Sequence, residues 1–420
     1  MDEFRVESGR LLAERVPVAA IAARVGTPVY VYSAATLLGH YRKLRDAYAA
    51  VRPRLRYAVK ANGNLALLAL LAREGSGFDV VSRGEIFRVL RAGGDPRKID
   101  FAGVGKRRDE IEAALDAGID TFNVESEEEL DVVDRAGAAR GQRARVALRV
   151  NPDVDPRTHT YIATGKKETK FGLDVERARR VASTFPGRPG ARLVGLHAHI
   201  GSQITQVAPY VESVTRLLRL ADELRGGHPE LRSVNIGGGW GIHYREGEAR
   251  EIAEFADALC PLLESSGLEV HMEPGRLLVG NAGILVTRVL YLKTSGSRRF
   301  VICDAAMNDL IRPSLYGAFH RIEPVERREG PEATSDVVGP VCESGDFFAK
   351  DRLLPPVEPG DLLAVRSAGA YGFAMASNYN ARPRAAEVLV EGARFGIVRE
   401  RETEEDLVRG ESVEPRWMEP

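Results

Sequence analysis

A chain of 420 residues is long enough for two or three domains, and its 44% apolar and 28% charged content is that of an ordinary globular protein. A formal net charge of -1 gives no bulk attraction to nucleic acid or to an anionic membrane. Cys260, Cys303 and Cys342 are too scattered for a disulfide framework or zinc site, no apolar run approaches a membrane span, and Met1–Arg5 lacks the order of a signal peptide, so a cytoplasmic protein is expected.

Thr27–Tyr32 reads as a first strand, and Ser33 can cap the helix after it, Ala34–Val51. From there to residue 276 one unit repeats: a short apolar strand, a polar or glycine-rich turn, an amphipathic helix. The expected strands are Arg56–Lys60, Phe78–Ser82, Lys98–Ala102, Thr121–Val124, Arg145–Asn151, Leu193–Ile200, Ser233–Ile236 and Glu269–Glu273. Helices are expected at Leu65–Leu71, Glu85–Ala92, Asp109–Ala117, Glu127–Arg140, Val175–Ala182, Tyr210–Leu224 and Ala249–Leu263, with Gly75, Gly93, Gly118 and Gly267 near helix ends. This repetition points to an α/β fold, a TIM-like (β/α)8 barrel. A doubly wound open sheet is the alternative, because sequence does not show closure.

After Gly280 the strands Ile284–Leu292, Arg299–Asp304, Ala333–Val338, Asp361–Val365 and Ala386–Val390 are separated by Pro, Gly and Asp, which reads as an all-β domain. The expected organisation is an N-terminal segment, 1–35, lending strands to the β-domain; a barrel over 36–280; and a mainly β C-terminal domain over 281–420, sandwich or Greek-key barrel-like. The charged tail Arg399–Glu405 reads as solvated surface.

Catalytic groups of such a barrel lie at the C-terminal ends of its strands. Lys60, the only lysine between Lys43 and Lys98, closes the first strand. Desolvation there disfavours its ammonium form and makes it a candidate Schiff-base nucleophile. The plain alternative is a lysine whose stem packs and whose head reaches water. Asp79 lies on the second strand, and Ser82-Arg83-Gly84-Glu85 follows it. Gly237-Gly238-Gly239 lets backbone N–H groups approach a phosphate, and with Ser202 and Arg276 it forms a candidate phosphate cup. Alone, such a triplet is more often a turn. Neither a nucleotide P-loop nor a dinucleotide fingerprint fits.

His197-x-His199 has a competing reading as a metal pair, but no third ligand motif completes a shell, so no metal is expected. An imidazole over an aromatic cofactor ring suits His199; His197 reads as packed and hydrogen-bonded. Glu273, before Pro274-Gly275-Arg276, is either a local ion pair or a carboxylate facing a ring nitrogen. Lysine, phosphate cup, stacking histidine and ring-facing carboxylate together describe a pyridoxal 5'-phosphate site.

The chain resembles the diaminopimelate decarboxylases, in the alanine-racemase-like, fold type III class of pyridoxal phosphate enzymes. The marks are Tyr57-Ala58-Val59-Lys60-Ala61-Asn62, Phe78–Ser82, Lys170-Phe171-Gly172, His197–Gln203, Gly237–Gly239 and Glu273–Arg276. They continue in Met307–Tyr316, Cys342-Glu343-Ser344-Gly345-Asp346 and Gly369-Ala370-Tyr371-Gly372. The resemblance implies that Lys60 carries the cofactor, His199 stacks on the ring and Glu273 pairs with the pyridinium. It implies that Gly238, Ser202 and Tyr371 help hold the phosphate. Asp79, Gly237, Gly239, Pro274 and Gly275 complete the expected cofactor site. Arg276, Arg312, Tyr316 and Glu343, with Tyr371, are implied to grip a diamino diacid, and Cys342 to protonate the carbon that loses carbon dioxide. Cys342 and Glu343 are implied to reach a partner's site, which makes a homodimer. Ala306, where the family usually has glycine, and Arg83, after Ser82, are mild departures. The activity implied is decarboxylation of meso-2,6-diaminopimelate to L-lysine. The alternative is a sister decarboxylase acting on ornithine, arginine, carboxynorspermidine or a carrier-bound amino acid.

Overall fold

The computed structural model describes residues 2–155, 170–245, 247 and 249–419. The chain forms two compact units, each gathered from separate stretches. The first comprises Met1–Glu3, Ser33–Gly283 and Gly369–Ala374; the second comprises Phe4–Tyr32, Ile284–Ala368 and Met375–Pro420.

In chain order, β1 (Phe4–Glu7), β2 (Arg10–Ala13) and β3 (Val16–Pro17) form a small antiparallel sheet, followed by α1 (Val18–Val25), β4 (Val29–Ser33) and α2 (Ala34–Ala47). The Ser33 hydroxyl accepts from Thr36 N at 3.0 Å, capping α2 as its sequence predicts. Eight parallel strands then close a barrel: β5 (Arg54–Ala58), β6 (Gly77–Val80), β7 (Ile99–Phe101), β8 (Thr121–Val124), β9 (Ala144–Arg149), β10 (Ala191–His197), β11 (Ser233–Asn235) and β12 (Glu269–Met272). Closure is made by β12 on β5, His271 opposite Arg54, which rules out the open sheet.

Residues expected at strand ends lie past the ladders. Strand β5 stops at Ala58, β10 at His197 and β12 at Met272, so Lys60, His199, Ser202 and Glu273 stand on the turns above the barrel. The turn after β6 leads into a capped helix. Ser82 Oγ accepts from Glu85 N at 3.2 Å, and Glu85 Oε2 accepts from Val81 N at 2.8 Å. The Ser82–Glu85 motif is therefore the start of α4 (Arg83–Arg91). Gly118 and Gly267 end their helices in the left-handed conformation, φ 70° and 64°.

The lower barrel holds an ion network that alternation alone does not reveal. Arg56, 2% exposed, lies 2.8 Å from Asp100 and 2.5 Å from Asp120. A buried guanidinium is tolerable because two carboxylates face it.

In the second unit, β4 joins a nine-stranded sheet between β13 (Gly283–Ser295) and β19 (Ala386–Glu391). Strands β14 (Arg298–Cys303), β16 (Ala333–Val338) and β17 (Phe347–Leu354) extend one edge. Val29, Val31, Ile284, Val286, Val388 and Val390 share a core with Ile21 of α1. The tail is more than solvated surface: Glu402 accepts from the backbone and side chain of Arg384, and Arg401 Nη2 donates to Pro28 O at 2.8 Å. Gly369–Ala374, read as part of the β-domain, groups with the barrel instead. Tyr371 N donates to Ala61 O at 2.8 Å, and Asn62 Nδ2 donates to Gly369 O at 3.1 Å.

Candidate active site

Above β5 the chain tightens into one turn, Val59–Ala61, which presents Lys60. Its Nζ lies 3.0 Å from Asp79 Oδ2. Asp79 comes from β6, opposite Ala58, and is wholly buried. Its other oxygen has no hydrogen-bond partner among the described residues. Burial opposes the Lys60 ammonium, but Asp79, then Tyr371 and Glu273, outweigh it and hold the group above the ordinary lysine range. The sequence reading expected the opposite shift, because it weighed desolvation without the carboxylate that the neighbouring strand supplies. Burial and the charge of Glu273 push the Asp79 carboxyl up to about 8, against the pull of Lys60.

Glu273 sits just past β12, 5% exposed. Its Oε1 accepts from Asn235 Nδ2 at 2.7 Å and from Asn123 Nδ2 at 3.3 Å; its Oε2 lies 3.2 Å from His197 Nε2. Burial raises a carboxyl, but His197 first, through its 3.2 Å contact, and then Lys60 hold Glu273 below the ordinary carboxylate range. Its partners are thus not the following Arg276, and the simple local ion pair falls away. Two buried carboxyl groups driven in opposite directions within one site are a mark of chemistry.

His199 Nδ1 accepts from Gly238 N at 3.2 Å. Burial first, then Lys60 and Arg149, keep this imidazole well below its usual range and therefore neutral. Beside it, Gly237 has φ +72°. A Cβ on Gly238 would stand 1.9 Å from Glu273 O, so only glycine lets the backbone lie there. Arg276 Nη2 donates to Ser202 Oγ at 3.0 Å and Nη1 to Tyr244 Oη at 2.5 Å, while its guanidinium lies 4.9 Å from the Tyr371 ring centroid. Pro274 O accepts from Ala58 N at 3.1 Å, and Gly275 passes close to Ala58 and Ala61, so the Glu273–Arg276 turn packs against the turn of Lys60. Tyr371 itself has φ 57°, a left-handed conformation costly for an aromatic residue.

The remaining expected residues lie in the second unit. Arg312 and Tyr316 begin and end the short helix Arg312–Tyr316. Arg312 is buried, with Nη1 2.9 Å from His320 Nε2. Cys342 is exposed, and its N–H donates to Asn380 Oδ1 at 3.0 Å. Asp346 accepts from Met307 N and Val341 N, both at 2.7 Å, and Ser314 Oγ donates to Gly345 O. The helix of Arg312 and Tyr316 is therefore tied to the loop of Cys342 and Glu343. Sequence reasoning gave no role to Asn123, Asn235, Arg149, Tyr244 or His320. Asn at or next to the C-terminal end of an apolar strand was the available signal for the first two.

These residues fit pyridoxal phosphate. A lysine amine, a phosphate corner of Gly237–Gly239, Ser202 and Arg276, and an ionised Glu273 all belong to the same unit. Among the described residues no cluster of three His, Cys, Asp or Glu side chains is arranged to hold a metal ion.

A family model described as the pyridoxal binding domain of pyridoxal-dependent decarboxylases matches residues 35–280. The diaminopimelate decarboxylase of Pseudomonas aeruginosa is 50% identical over 416 residues, covering 99% of this chain and 100% of that one. The Aquifex aeolicus diaminopimelate decarboxylase is 46% identical over 408 residues, covering 97% and 96%. The solved diaminopimelate decarboxylase from M. jannaschii in co-complex with L-lysine has a TM-score of 0.94 at 36% identity, covering 99% of both chains. With the fold, the site and full-length relatives in agreement, this chain belongs to the diaminopimelate decarboxylases of the pyridoxal-dependent decarboxylase family.

Proposed function

We propose that this enzyme removes carbon dioxide from meso-2,6-diaminopimelate at its D-centre, using pyridoxal phosphate, and releases L-lysine. One carbon–carbon bond breaks, and a proton takes the place of the departing carboxylate. Bound pyridoxal phosphate supplies a protonated ring that accepts the electron pair left behind. The observation that carries the reading is the ionised Glu273, fixed by His197, Asn235 and Asn123 above a barrel that also presents Lys60.

The chain's own groups divide the work. Lys60 holds the cofactor covalently, and Asp79 steadies its amine. His199, neutral, would stack on the ring. Ser202, the Gly237–Gly239 turn, Arg276 and Tyr371 would bind the phosphate. Glu273 keeps the proton on the ring nitrogen. Arg312 and Tyr316 take the distal carboxylate, since a fixed guanidinium matches a carboxylate bidentately. Glu343 meets the distal ammonium, and the Cys342 thiol delivers the proton to carbon. Cys342 and Glu343 serve the partner's site in a cytoplasmic homodimer.

Carbon dioxide release measured over meso-diaminopimelate, lysine, ornithine and arginine tests this directly. Release from the first alone is expected. Comparable release from ornithine or arginine would remove the distal-carboxylate role of Arg312.

A further inference from the structure

Every side chain bonded to Glu273 among the described residues can donate to it. The Asn235 and Asn123 amides reach Oε1, and the His197 ring reaches Oε2. His197 and Asn235 are paired across β10 and β11, so they approach from adjacent strands at one level of the barrel. His197 is 1% exposed, and its Nδ1 has no partner among the described residues. That orphan decides the tautomer. A hydrogen on Nδ1 would be a buried donor without an acceptor, which proteins avoid more strictly than an under-used acceptor. The hydrogen therefore sits on Nε2 and points at Glu273. Facing donors only, the carboxyl has no need of its own proton. Of about four acceptor positions on a carboxylate, three are filled and one remains on Oε2.

We infer that His197 is a positioning residue: as a donor on Oε2, with Asn235 and Asn123 on Oε1, it locks Glu273 as an anion in one orientation, and so keeps the ring nitrogen of the bound cofactor protonated. The inference rests on the role given to Glu273 above. The other titratable groups facing Glu273 are Lys60, His199, Asp79 and, from below, Arg56. Among them Lys60 is engaged by Asp79 at 3.0 Å. His197 alone meets Oε2 among the described side chains.

The test uses holoenzyme loaded with pyridoxal phosphate carrying nitrogen-15 in the ring, whose chemical shift separates protonated from bare nitrogen. Wild type is expected to show the protonated signal from pH 6 to pH 9, and Glu273→Gln to lose it. His197→Met, which keeps length but removes the donor, should lose it within that range. Its kcat should fall about ten-fold while KM changes less than about two-fold, as for an interaction made in the transition state. His197→Gln, whose amide nitrogen replaces Nε2, should restore both readings. Should His197→Met not fold, Asn235→Ala removes the 2.7 Å donor and is read the same way. A protonated signal in His197→Met as persistent as in wild type overturns the inference alone, as does a His197→Gln protein that behaves like His197→Met. A protonated signal in Glu273→Gln overturns the role of Glu273 and the inference with it.

Discussion

Lys60 lies 3.0 Å from Asp79, and this pairing holds the amine at the mouth of the barrel. Borohydride reduction of the holoenzyme followed by peptide mapping should label Lys60. Lys60→Ala should lose both label and turnover, and label on any other lysine would end the assignment. Glu273→Gln should bind cofactor nearly as well as wild type, since the phosphate corner is untouched, but lose about 3 kcal/mol of transition-state stabilisation, as when a preorganised charge is removed. Near-normal kcat in that variant would leave Glu273 with only a structural role. Lys60, Glu273 and the glycine triplet were legible because each follows an apolar run at the point where a barrel strand must end. His197 was read as packed and hydrogen-bonded, as it is, but its pairing with Glu273 and the roles of Asn123 and Asn235 were not legible. Alternation says that they face inward, but which of them meet depends on β8, β10, β11 and β12 closing into a ring.

Among elements, the eight barrel strands were readable from apolar runs spaced by helices. Their ends were overextended because turns such as Val59–Ala61 remain apolar after the ladder has stopped. In the second unit, β1, β17 and the strand Arg394–Arg399 escaped notice. Each carries charged residues and is exposed along much of its length, so no hydrophobic contrast marks it. The tail was misjudged for a related reason: Glu402 and Arg384 are ordinary surface types whose pairing only the fold discloses. Burial alone would raise the Glu402 carboxyl, but Arg384 and Asn378 pull it from 4.5 to about 2. A carboxyl lowered on folding stabilises fully above its unfolded value and loses that contribution as pH falls toward the folded one. Melting of wild type and Glu402→Gln should therefore differ most above pH 4.5 and converge toward pH 2. A gap that widens on acidification would contradict this.

For the molecule as a whole, the proposed sharing of sites can be tested by complementation. Lys60→Ala and Cys342→Ala chains, each nearly inactive, should regain about a quarter of wild-type activity after random exchange. Half the dimers are then mixed, and each mixed dimer holds one intact site. No recovery after demonstrated exchange would confine Cys342 to its own chain's site or exclude it from any site.

The return of Gly369–Ala374 to the barrel has a consequence for the order in which the enzyme is made. Asn62, two residues past Lys60, is hydrogen-bonded to Gly369, 307 residues downstream. At about 5–20 residues per second, a ribosome that has delivered Lys60 needs roughly 15–60 s more to deliver Tyr371. With β5 already made, the other seven barrel strands follow in about the first two-thirds of that interval, yet Tyr371, proposed above to hold the phosphate, is still unmade. A nascent chain thus has its barrel strands before the Gly369–Ala374 segment that belongs with them, and on the role proposed for Tyr371 firm capture of pyridoxal phosphate waits until most of the second unit has left the ribosome.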